Sequence, residues 1–236
     1  MIIRRDPLHS PTRIWLSLAV RMTLFAVALM RPAGTWYWWE AWAVTVLWTI
    51  FSAIMTNYLL HNDPELLAER LKPLPLQKEQ KTWDKAIMLI FFIAAIALYI
   101  IPGFDVVRYG WSEPLPLWMK IIAVLIHFPC FVMLGWVTRE NTYLSQVVKI
   151  DKQRDHHVIT TGPYSLVRHP MYTVTIVLLF AMPIVLGSRF ALILSVFLAA
   201  LLVVRTYLED RTLYAELRGY PEYAKQTPYR LILGIW

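Results

Sequence analysis

Residues 86–104 read AIMLIFFIAAIALYIIPGF, an uninterrupted run without charge between Lys85 and Asp105. A helix of about 20 apolar residues spans the hydrocarbon core of a bilayer. Residues 41–62 and 121–138 are two further uncharged runs of comparable length. These three runs predict membrane-spanning helices, and they decide the fold class.

The composition of the whole chain agrees with a membrane protein. Of its 236 residues, 58% are hydrophobic and only 17% are charged, which is too apolar for a soluble domain of this size. The formal net charge is +7. Because basic residues gather on the cytoplasmic side of membrane proteins, topology accounts for this charge without a nucleic-acid partner.

Three less regular runs complete the prediction of an all-α, polytopic membrane protein with about six spans. Residues 14–30 are apolar apart from Arg21, a charge that inside a membrane helix usually faces a partner or a cavity. Residues 169–188 and 190–204 are joined at PIVLGSRF and predict a helical hairpin. Its second arm is short for a crossing, and we expect a snorkelling Arg205 to complete it or the arm to stop within the bilayer.

Basic residues divide the connections between the spans into two groups. The N-terminal segment, the 61–85 and 139–168 connections and the tail from Arg205 are rich in Lys and Arg, whereas the opposite connections hold only Arg31, Arg108, Lys120 and Arg189. This asymmetry predicts that both termini are cytoplasmic, at the inner or plasma membrane if the source is bacterial. We expect a single membrane domain, with a four-helix part at 1–138 and a site-bearing part at 139–236.

The motifs of common soluble enzymes are missing from the sequence. None of the eight Gly forms a G-x-G pair, so there is neither a dinucleotide fingerprint nor a P-loop. His156, His157 and His169 lack a further well-spaced ligand, and we predict no metal site. Cys130 lies inside a predicted span and is interpreted as a packing residue. A nucleotide-like ligand would have to be held in another way.

The stretch TTGPYSLVRHPMY, residues 160–172, stands where a polar segment gives way to an apolar run. Its Gly-Pro pair predicts a turn, and its His-Pro pair predicts a helix start. Four polar side chains would gather around that helix N-terminus: Tyr164, Arg168, His169 and Tyr172. They either anchor the helix at headgroup depth or help its free N–H groups to bind an anionic group such as a carboxylate, and the local sequence leaves both interpretations open.

Two later segments provide a possible opposing wall. Arg205 and Glu209 are four residues apart and share one helix face at the membrane boundary. They form either a simple ion pair or a site where an otherwise unpaired Arg205 binds a charged ligand. The tail GYPEYAKQTPYRLILGIW, residues 219–236, predicts a flap that packs back on the interface. In the 61–85 connection, an Asp-Pro start followed by Leu at helical spacing predicts a short interfacial helix.

In this order, three sets of residues resemble the isoprenylcysteine carboxyl methyltransferase family and, more loosely, the phospholipid N-methyltransferases. They are HHVITTGPY with RHPMY in 156–172, Arg205 with Glu209-Asp210, and Gly219-Tyr220 with Tyr223. The likeness runs from about Asn141 to the end of the chain. WDK at 83–85 and LLAERL at 66–71 are also similar to bacterial members.

The resemblance implies methyl transfer from S-adenosylmethionine, with S-adenosylhomocysteine as product and no metal. It implies that Glu209 takes the polar end of the cofactor and that Arg205 faces the methyl acceptor, so that these two residues form the catalytic pair. Nine further residues would surround the cofactor: His156, His157, Val158, Ile159, Tyr164, His169, Pro170, Met171 and Tyr172. Two departures bear on cofactor affinity: Glu209-Asp210 replaces the two Glu of many relatives, and Thr173 follows a motif near which relatives often have Gly.

The acceptor implied by the resemblance is a lipid or a lipidated small molecule or peptide embedded in the membrane. A carboxylate acceptor is already ionised at neutral pH, and an arginine can hold it by charge-assisted hydrogen bonds. The alternative of a phospholipid N-methyltransferase needs a general base, for which His157 is the candidate. A small transporter or a membrane scaffold is the non-enzymatic alternative, and of the charges near mid-membrane that it predicts, only Arg21 is present.

Overall fold

The computed structural model describes residues 10–72, 77, 80–145, 147–148 and 157–236. All regular secondary structure in these residues is helical, which confirms the predicted all-α class. In chain order the helices are α1 (Pro11–Ala33), α2 (Trp39–Asn62), α3 (Pro64–Leu71), α4 (Thr82–Pro102), α5 (Leu117–Glu140), α6 (Pro170–Leu186), α7 (Arg189–Glu216) and α8 (Tyr220–Gln226). A π-helical turn at Gly103–Arg108 continues α4, and a 3-10 turn at Gly162–Ser165 precedes α6.

Six of these helices correspond to the six predicted runs. In the described residues, five are long and apolar enough to cross a membrane, namely α1, α2, α4 with its π-helical continuation, α5 and α7. α6 is apolar but has 17 residues, which corresponds to roughly 26 Å of helix. The chain is therefore a polytopic membrane protein, and α6 is the shortest of these six apolar helices.

The predicted hairpin is present, but its arms differ in length from the prediction. Gly187 ends α6 with a left-handed φ of 81°, and the hydroxyl of Ser188 caps α7. The prediction of a short second arm is wrong, because α7 has 28 residues and passes Arg205 without a break. Arg205 does not snorkel, since its guanidinium is buried and paired with Asp84, so the helix can continue around a neutralised charge.

Arg21 lies on the outer face of α1 instead of facing into the bundle. Its side chain is exposed, and its Nε donates to the carbonyl oxygen of Ser17 at 3.3 Å. The hydrogen bond directs the guanidinium back along the helix toward the end at which α1 begins. Arg21 thus lies on the surface of the bundle and not in its interior.

Helix ends that are distant in sequence meet at one end of the bundle. Thr142, just after α5, donates a 2.6 Å hydrogen bond to Asp63, just after α2. Asp84 in the first turn of α4 reaches Arg205 in the second half of α7. We call this end the site end and the opposite one the far end. Basic residues of the described part of these connections, such as Arg70 and Lys81, lie at the site end, and the cytoplasmic location of this end is a prediction.

Buried polar contacts hold the helix ends together at the far end. The carboxylate of Asp105 is fully buried and accepts hydrogen bonds from Ser112 at 2.7 Å and from Ser188 at 2.6 Å. Lys120 of α5 pairs with Glu40 of α2 at 2.6 Å. Because the groups in these contacts are largely withdrawn from solvent, the contacts fix the relative positions of α2, α4, α5 and α7.

The predicted short helix in the 61–85 connection is α3. The Asp63 side chain accepts a hydrogen bond from the Leu66 N–H at 3.0 Å, and Pro64 occupies the first helical position. Leu66 and Leu67 are buried in an apolar cluster that also contains Tyr164. α3 therefore supports the turn that precedes α6, in addition to lying at the edge of the bundle.

Candidate functional site

A cavity lined by side chains from several elements lies at the site end. Its walls come from the connection after α5, the segment before α6, the start of α6, the end of α7 and α8. Nine of the ten residues that the sequence assigned to the cofactor line it: His157, Val158, Ile159, Tyr164, His169, Pro170, Met171, Tyr172 and Glu209. The tenth, His156, lies outside the described residues.

The turn before α6 requires glycine at its first residue. Gly162 has a φ of +58°, and a Cβ there would lie 2.7 Å from Cγ of Glu140 and 2.9 Å from Nε1 of Trp136. The Glu140 carboxylate accepts hydrogen bonds from the Thr161 hydroxyl at 2.6 Å and from Trp136 Nε1 at 3.1 Å. The predicted Gly-Pro turn is thereby held against the end of α5.

Tyr164 follows this turn and forms part of the cavity wall. Its buried phenol oxygen accepts a hydrogen bond from Asn141 Nδ2 at 2.8 Å, and its carbonyl accepts one from the Tyr223 hydroxyl at 2.7 Å. Burial raises the pKa of Tyr164 above its ordinary value, so the phenol stays neutral. The α5 connection and α8 thus fix Tyr164 from two sides.

The tail pairs with the segment before α6. The N–H groups of Arg168 and His169 donate to the carbonyl oxygens of Tyr229 and Arg230, at 3.0 and 2.9 Å. The predicted flap is therefore held to this segment by backbone hydrogen bonds and closes one side of the site end.

The start of α6 offers fewer free N–H groups than the sequence predicted. The N–H groups of Tyr172 and Thr173 donate to the His169 carbonyl at 3.1 and 3.2 Å, and Pro170 has no N–H. Met171 lines the cavity, and its N–H has no hydrogen-bond partner within the described part of the chain. One backbone donor, and not a full turn of them, is available to an anionic group here.

Asp210 is the anchor for the residues around the start of α6. Four side chains donate to its buried carboxylate: Arg168 through Nε and Nη2 (2.8 and 3.1 Å), Tyr220 (2.7 Å), Arg230 (2.9 Å) and His169 (3.3 Å). Arg168 also donates through Nη1 to the carbonyls of Thr227 and Pro228 at 2.8 and 2.9 Å. Arg168 is therefore a buried structural residue that ties α7 to the tail. The sequence drew attention to Asp210 only as a departure from a Glu pair.

A second carboxylate, Glu209, faces the cavity. The Tyr172 hydroxyl donates to Glu209 Oε2 at 2.6 Å, and the rings of His169 and Tyr172 stack at 5.7 Å with an interplanar angle of 4°. Cζ of Arg205 lies 5.3 Å from the centre of the Tyr172 ring. Tyr172 and Glu209 line the cavity, whereas Arg205 lies behind Tyr172 and outside the lining.

The charge of Arg205 is already compensated. Its Nε donates to Asp84 Oδ1 at 2.8 Å, and both side chains are at most 5% exposed. The expectation that Arg205 is unpaired in the absence of a charged ligand is therefore wrong. Sequence reasoning missed Asp84, and the available signal was a carboxylate at the start of an apolar span, within the WDK noted for its resemblance.

The remaining predicted residues come from the connection before the turn. His157 is exposed, and its Nδ1 forms a 2.9 Å hydrogen bond with the hydroxyl of Tyr143. Val158 and Ile159 add apolar surface to the same wall. Among the residues that the structure describes, no three His, Cys, Asp or Glu side chains are grouped so that they could hold a metal ion.

Residues 119–215 match a family model described as the isoprenylcysteine carboxyl methyltransferase (ICMT) family. The matched segment contains most of α5, the connection that carries Tyr164 and His169, α6, and Glu209 on α7. It excludes Asp84 and the tail. None of the curated proteins compared with the chain matches it.

Proposed function

We propose that this chain, whose residues 119–215 match the model of the isoprenylcysteine carboxyl methyltransferase family, transfers a methyl group from S-adenosylmethionine to a hydrophobic acceptor in the membrane. The observation that carries the proposal is that one cavity at the end of a membrane-spanning bundle collects Tyr164, His169, Tyr172 and Glu209. On the distribution of basic residues, we place this end in the cytoplasm, where the cofactor is available.

The groups that line the cavity fit the functional parts of this cofactor. Glu209 provides a carboxylate for the cofactor's ammonium group, and the free N–H of Met171 provides a donor for its carboxylate. The aromatic side chains that line the cavity, such as Tyr164, suit the cationic sulfonium, because aromatic faces attract cations. Val158 and Ile159 provide apolar surface for the adenine ring.

The chemistry asks little of the chain beyond alignment and exclusion of water. When bound, S-adenosylmethionine would supply a methyl group on a cationic sulfonium, and S-adenosylhomocysteine would leave as a neutral thioether. An acceptor carboxylate is ionised at neutral pH, so no general base is required. We assign the acceptor side to Arg205, whose guanidinium lies over the Tyr172 ring directly behind the cavity wall. The short α6 and the adjoining α7 border the bilayer from which a lipid-borne acceptor would arrive.

A second candidate function is N-methylation of an amine headgroup. His157 is exposed, lines the cavity and is hydrogen-bonded to Tyr143 at 2.9 Å, so it is placed to accept a proton from an amine. Under this alternative, His157→Gln would abolish methyl transfer. Under the carboxylate proposal it would leave most of the transfer intact.

The proposal is tested by incubating membranes that contain the full chain with S-adenosylmethionine labelled in the methyl group. Mass spectrometry then identifies the labelled lipid-soluble product and the linkage, since a methyl ester is cleaved by mild base and a methylamine is not. Arg205→Lys preserves the charge beside Asp84 but not the guanidinium plane, and we expect it to lower turnover at least about tenfold. Glu209→Gln should mainly weaken cofactor binding.

Glu216→Gln is the matched control, because Glu216 lies on the same helix but pairs with Lys81 at the exposed surface. We expect it to transfer label at the wild-type rate. If Arg205→Lys lost cofactor binding and Glu209→Gln lost only turnover, the roles assigned to these two residues would be reversed. If no labelled product formed with folded wild-type protein, the proposed activity would be wrong.

A further inference from the structure

We propose that Asp84 is a positioning residue that fixes two parts of the site with one carboxylate: the segment lining the cavity at Val148, and the guanidinium of Arg205. This inference rests on the proposed function, because it concerns the relative positions of the cavity wall assigned to the cofactor and of Arg205, which is assigned to the acceptor. Asp84 lies outside the residues that match the family, on a helix of the other half of the chain.

The two oxygens of Asp84 point to different partners. Oδ1 accepts from Arg205 Nε at 2.8 Å. Oδ2 accepts from the backbone N–H of Val148 at 2.8 Å and from Gln80 Nε2 at 2.9 Å. The residue is fully buried. A fully buried carboxylate with donors on both oxygens is well satisfied, and each donor is in turn held in place.

The Oδ2 side controls the wall of the cavity. Val147 and Val148 line the cavity, and they belong to the connection between α5 and the Gly162 turn. Val148 is tied to the start of α4 twice, since its carbonyl also accepts from the Lys81 N–H at 3.1 Å. Val147 and Val148 lie outside the regular helices, so the bonds of Val148 to Asp84 and Lys81 help to fix this part of the wall.

The Oδ1 side controls the cation behind the wall. Arg205 lies 5.3 Å from the centre of the Tyr172 ring, and Tyr172 donates to Glu209 at 2.6 Å. A shift of the guanidinium would displace the Tyr172 ring. The hydrogen bond from the Tyr172 hydroxyl to Glu209 would then be displaced as well. Through Arg205, Asp84 therefore reaches the carboxylate that we assign to the cofactor's ammonium group.

A carboxylate is required at this position, because three N–H donors converge on it. Asparagine has one acceptor oxygen and an NH₂ group that is itself a donor. In Asp84→Asn the NH₂ group would face either Arg205 Nε or the donors of Val148 and Gln80. The donors on that side would then have no acceptor. Replacing Arg205 by Gln in the same chain would supply an amide oxygen to accept from that NH₂ group. The amide oxygen of the Asp84→Asn side chain would then be free for the Val148 N–H.

The experiment measures the affinity of S-adenosylhomocysteine by calorimetry for the full chain in nanodiscs. We expect Asp84→Asn to weaken binding about tenfold, which is the effect of losing one charge-assisted hydrogen bond at a wall of the site. We expect the double variant Asp84→Asn with Arg205→Gln to bind more tightly than Asp84→Asn alone, because the Val148 N–H regains its acceptor, and less tightly than the wild type, because the guanidinium beside Tyr172 is lost. Glu216→Gln, which removes only the exposed pair with Lys81 at the same junction, should bind as the wild type does.

The outcomes separate this inference from the proposed function. If the wild type is folded and does not bind S-adenosylhomocysteine, the proposed function fails. If the wild type binds and Asp84→Asn binds equally well, the positioning role of Asp84 is wrong. If both the single and the double variant lose the same affinity, Asp84 only supports the fold, and the inference is overturned.

If Asp84→Asn does not fold, amide hydrogen exchange of the wild type tests whether Asp84 holds the Val148 N–H. We expect the Val148 N–H to exchange slowly, because its acceptor is a fully buried carboxylate. Exchange of that amide at the rate of an exposed loop would show that Asp84 does not hold it.

Discussion

The hydroxyl of Tyr172 on α6 donates a 2.6 Å hydrogen bond to Glu209 on α7, and both side chains line the cavity. The bond joins the two arms of the hairpin at the site end. It also orients the only carboxylate among the described lining residues. The Tyr172 hydroxyl therefore helps to set the position of the Glu209 carboxylate.

Tyr172→Phe should weaken the binding of S-adenosylhomocysteine about tenfold, because it removes the donor that orients the Glu209 carboxylate. The ring and its packing remain, so the protein should fold normally. Calorimetry with purified protein measures the change. Tyr207→Phe is the control, since Tyr207 is an exposed tyrosine on α7. Equal affinities for the wild type and Tyr172→Phe would show that this hydrogen bond does not shape the site.

Gly162→Ala should impair both stability and cofactor affinity, because its Cβ would meet Glu140 and Trp136 at less than 3.0 Å. Gly110→Ala is a matched control: Gly110 has a similar φ of +63° but nothing lies within 4 Å of the added Cβ. The difference between the two variants isolates the steric effect from the cost of a positive φ, which is about 1 kcal/mol. Unfolding temperature and affinity for S-adenosylhomocysteine are the measurements. Indistinguishable variants would contradict the close packing of the turn.

Arg168→Lys should loosen the attachment of the tail to α7, because Arg168 links Asp210 to the carbonyls of Thr227 and Pro228. Lysine keeps the charge but cannot make both bonds to Asp210 and also reach the carbonyls of Thr227 and Pro228. We expect a loss of roughly 2–3 kcal/mol in the free energy of unfolding and faster proteolysis of the tail. Arg211→Lys changes an exposed arginine one residue from Asp210 and should have no such effect. A tail as resistant in Arg168→Lys as in the wild type would refute the anchoring role of Arg168.

The protein should lose stability in alkali as the pH rises above about 10, where tyrosines of the unfolded chain ionise. Burial raises the pKa of Tyr164, Tyr220 and Tyr223 in the folded state, and the charge of Asp210 adds to this for Tyr220. A raised folded-state pKa contributes stability below the unfolded-state value, and that contribution is lost as the pH increases. Unfolding temperature and tyrosinate absorbance should therefore change together. Ionisation of these tyrosines near pH 10 without unfolding would contradict their burial.

The apolar runs were sufficient to predict the bundle, because a membrane helix must be long and uncharged whatever it packs against. The position of the hairpin was also predictable, since Gly187-Ser188 provides both a C-cap and an N-cap. The length of α7 was not predictable from the run alone. Its continuation depends on Asp84, which lies 121 residues away in sequence, and local charge patterns carry no information about such a partner.

The site was predictable to the extent that its residues are contiguous in motifs. Tyr164, His169 to Tyr172, and Glu209 were named from the sequence, and they line one cavity, although cofactor contact remains a proposal. The roles of Arg168 and Asp210 depend on contacts between the tail and α7. Those contacts need the tertiary fold, so the sequence could not separate a membrane anchor from a buried ion pair.

The most direct test of the account is calorimetric titration of the folded, full-length chain in nanodiscs with S-adenosylhomocysteine. We predict one binding site per chain, weakened at least about tenfold in Glu209→Gln, because that change removes the charge opposite the ligand's ammonium group. Glu216→Gln should match the wild type. Absence of binding to a wild type that is folded by its unfolding profile, or equal binding by Glu209→Gln, would contradict the assignment of the cavity to this cofactor.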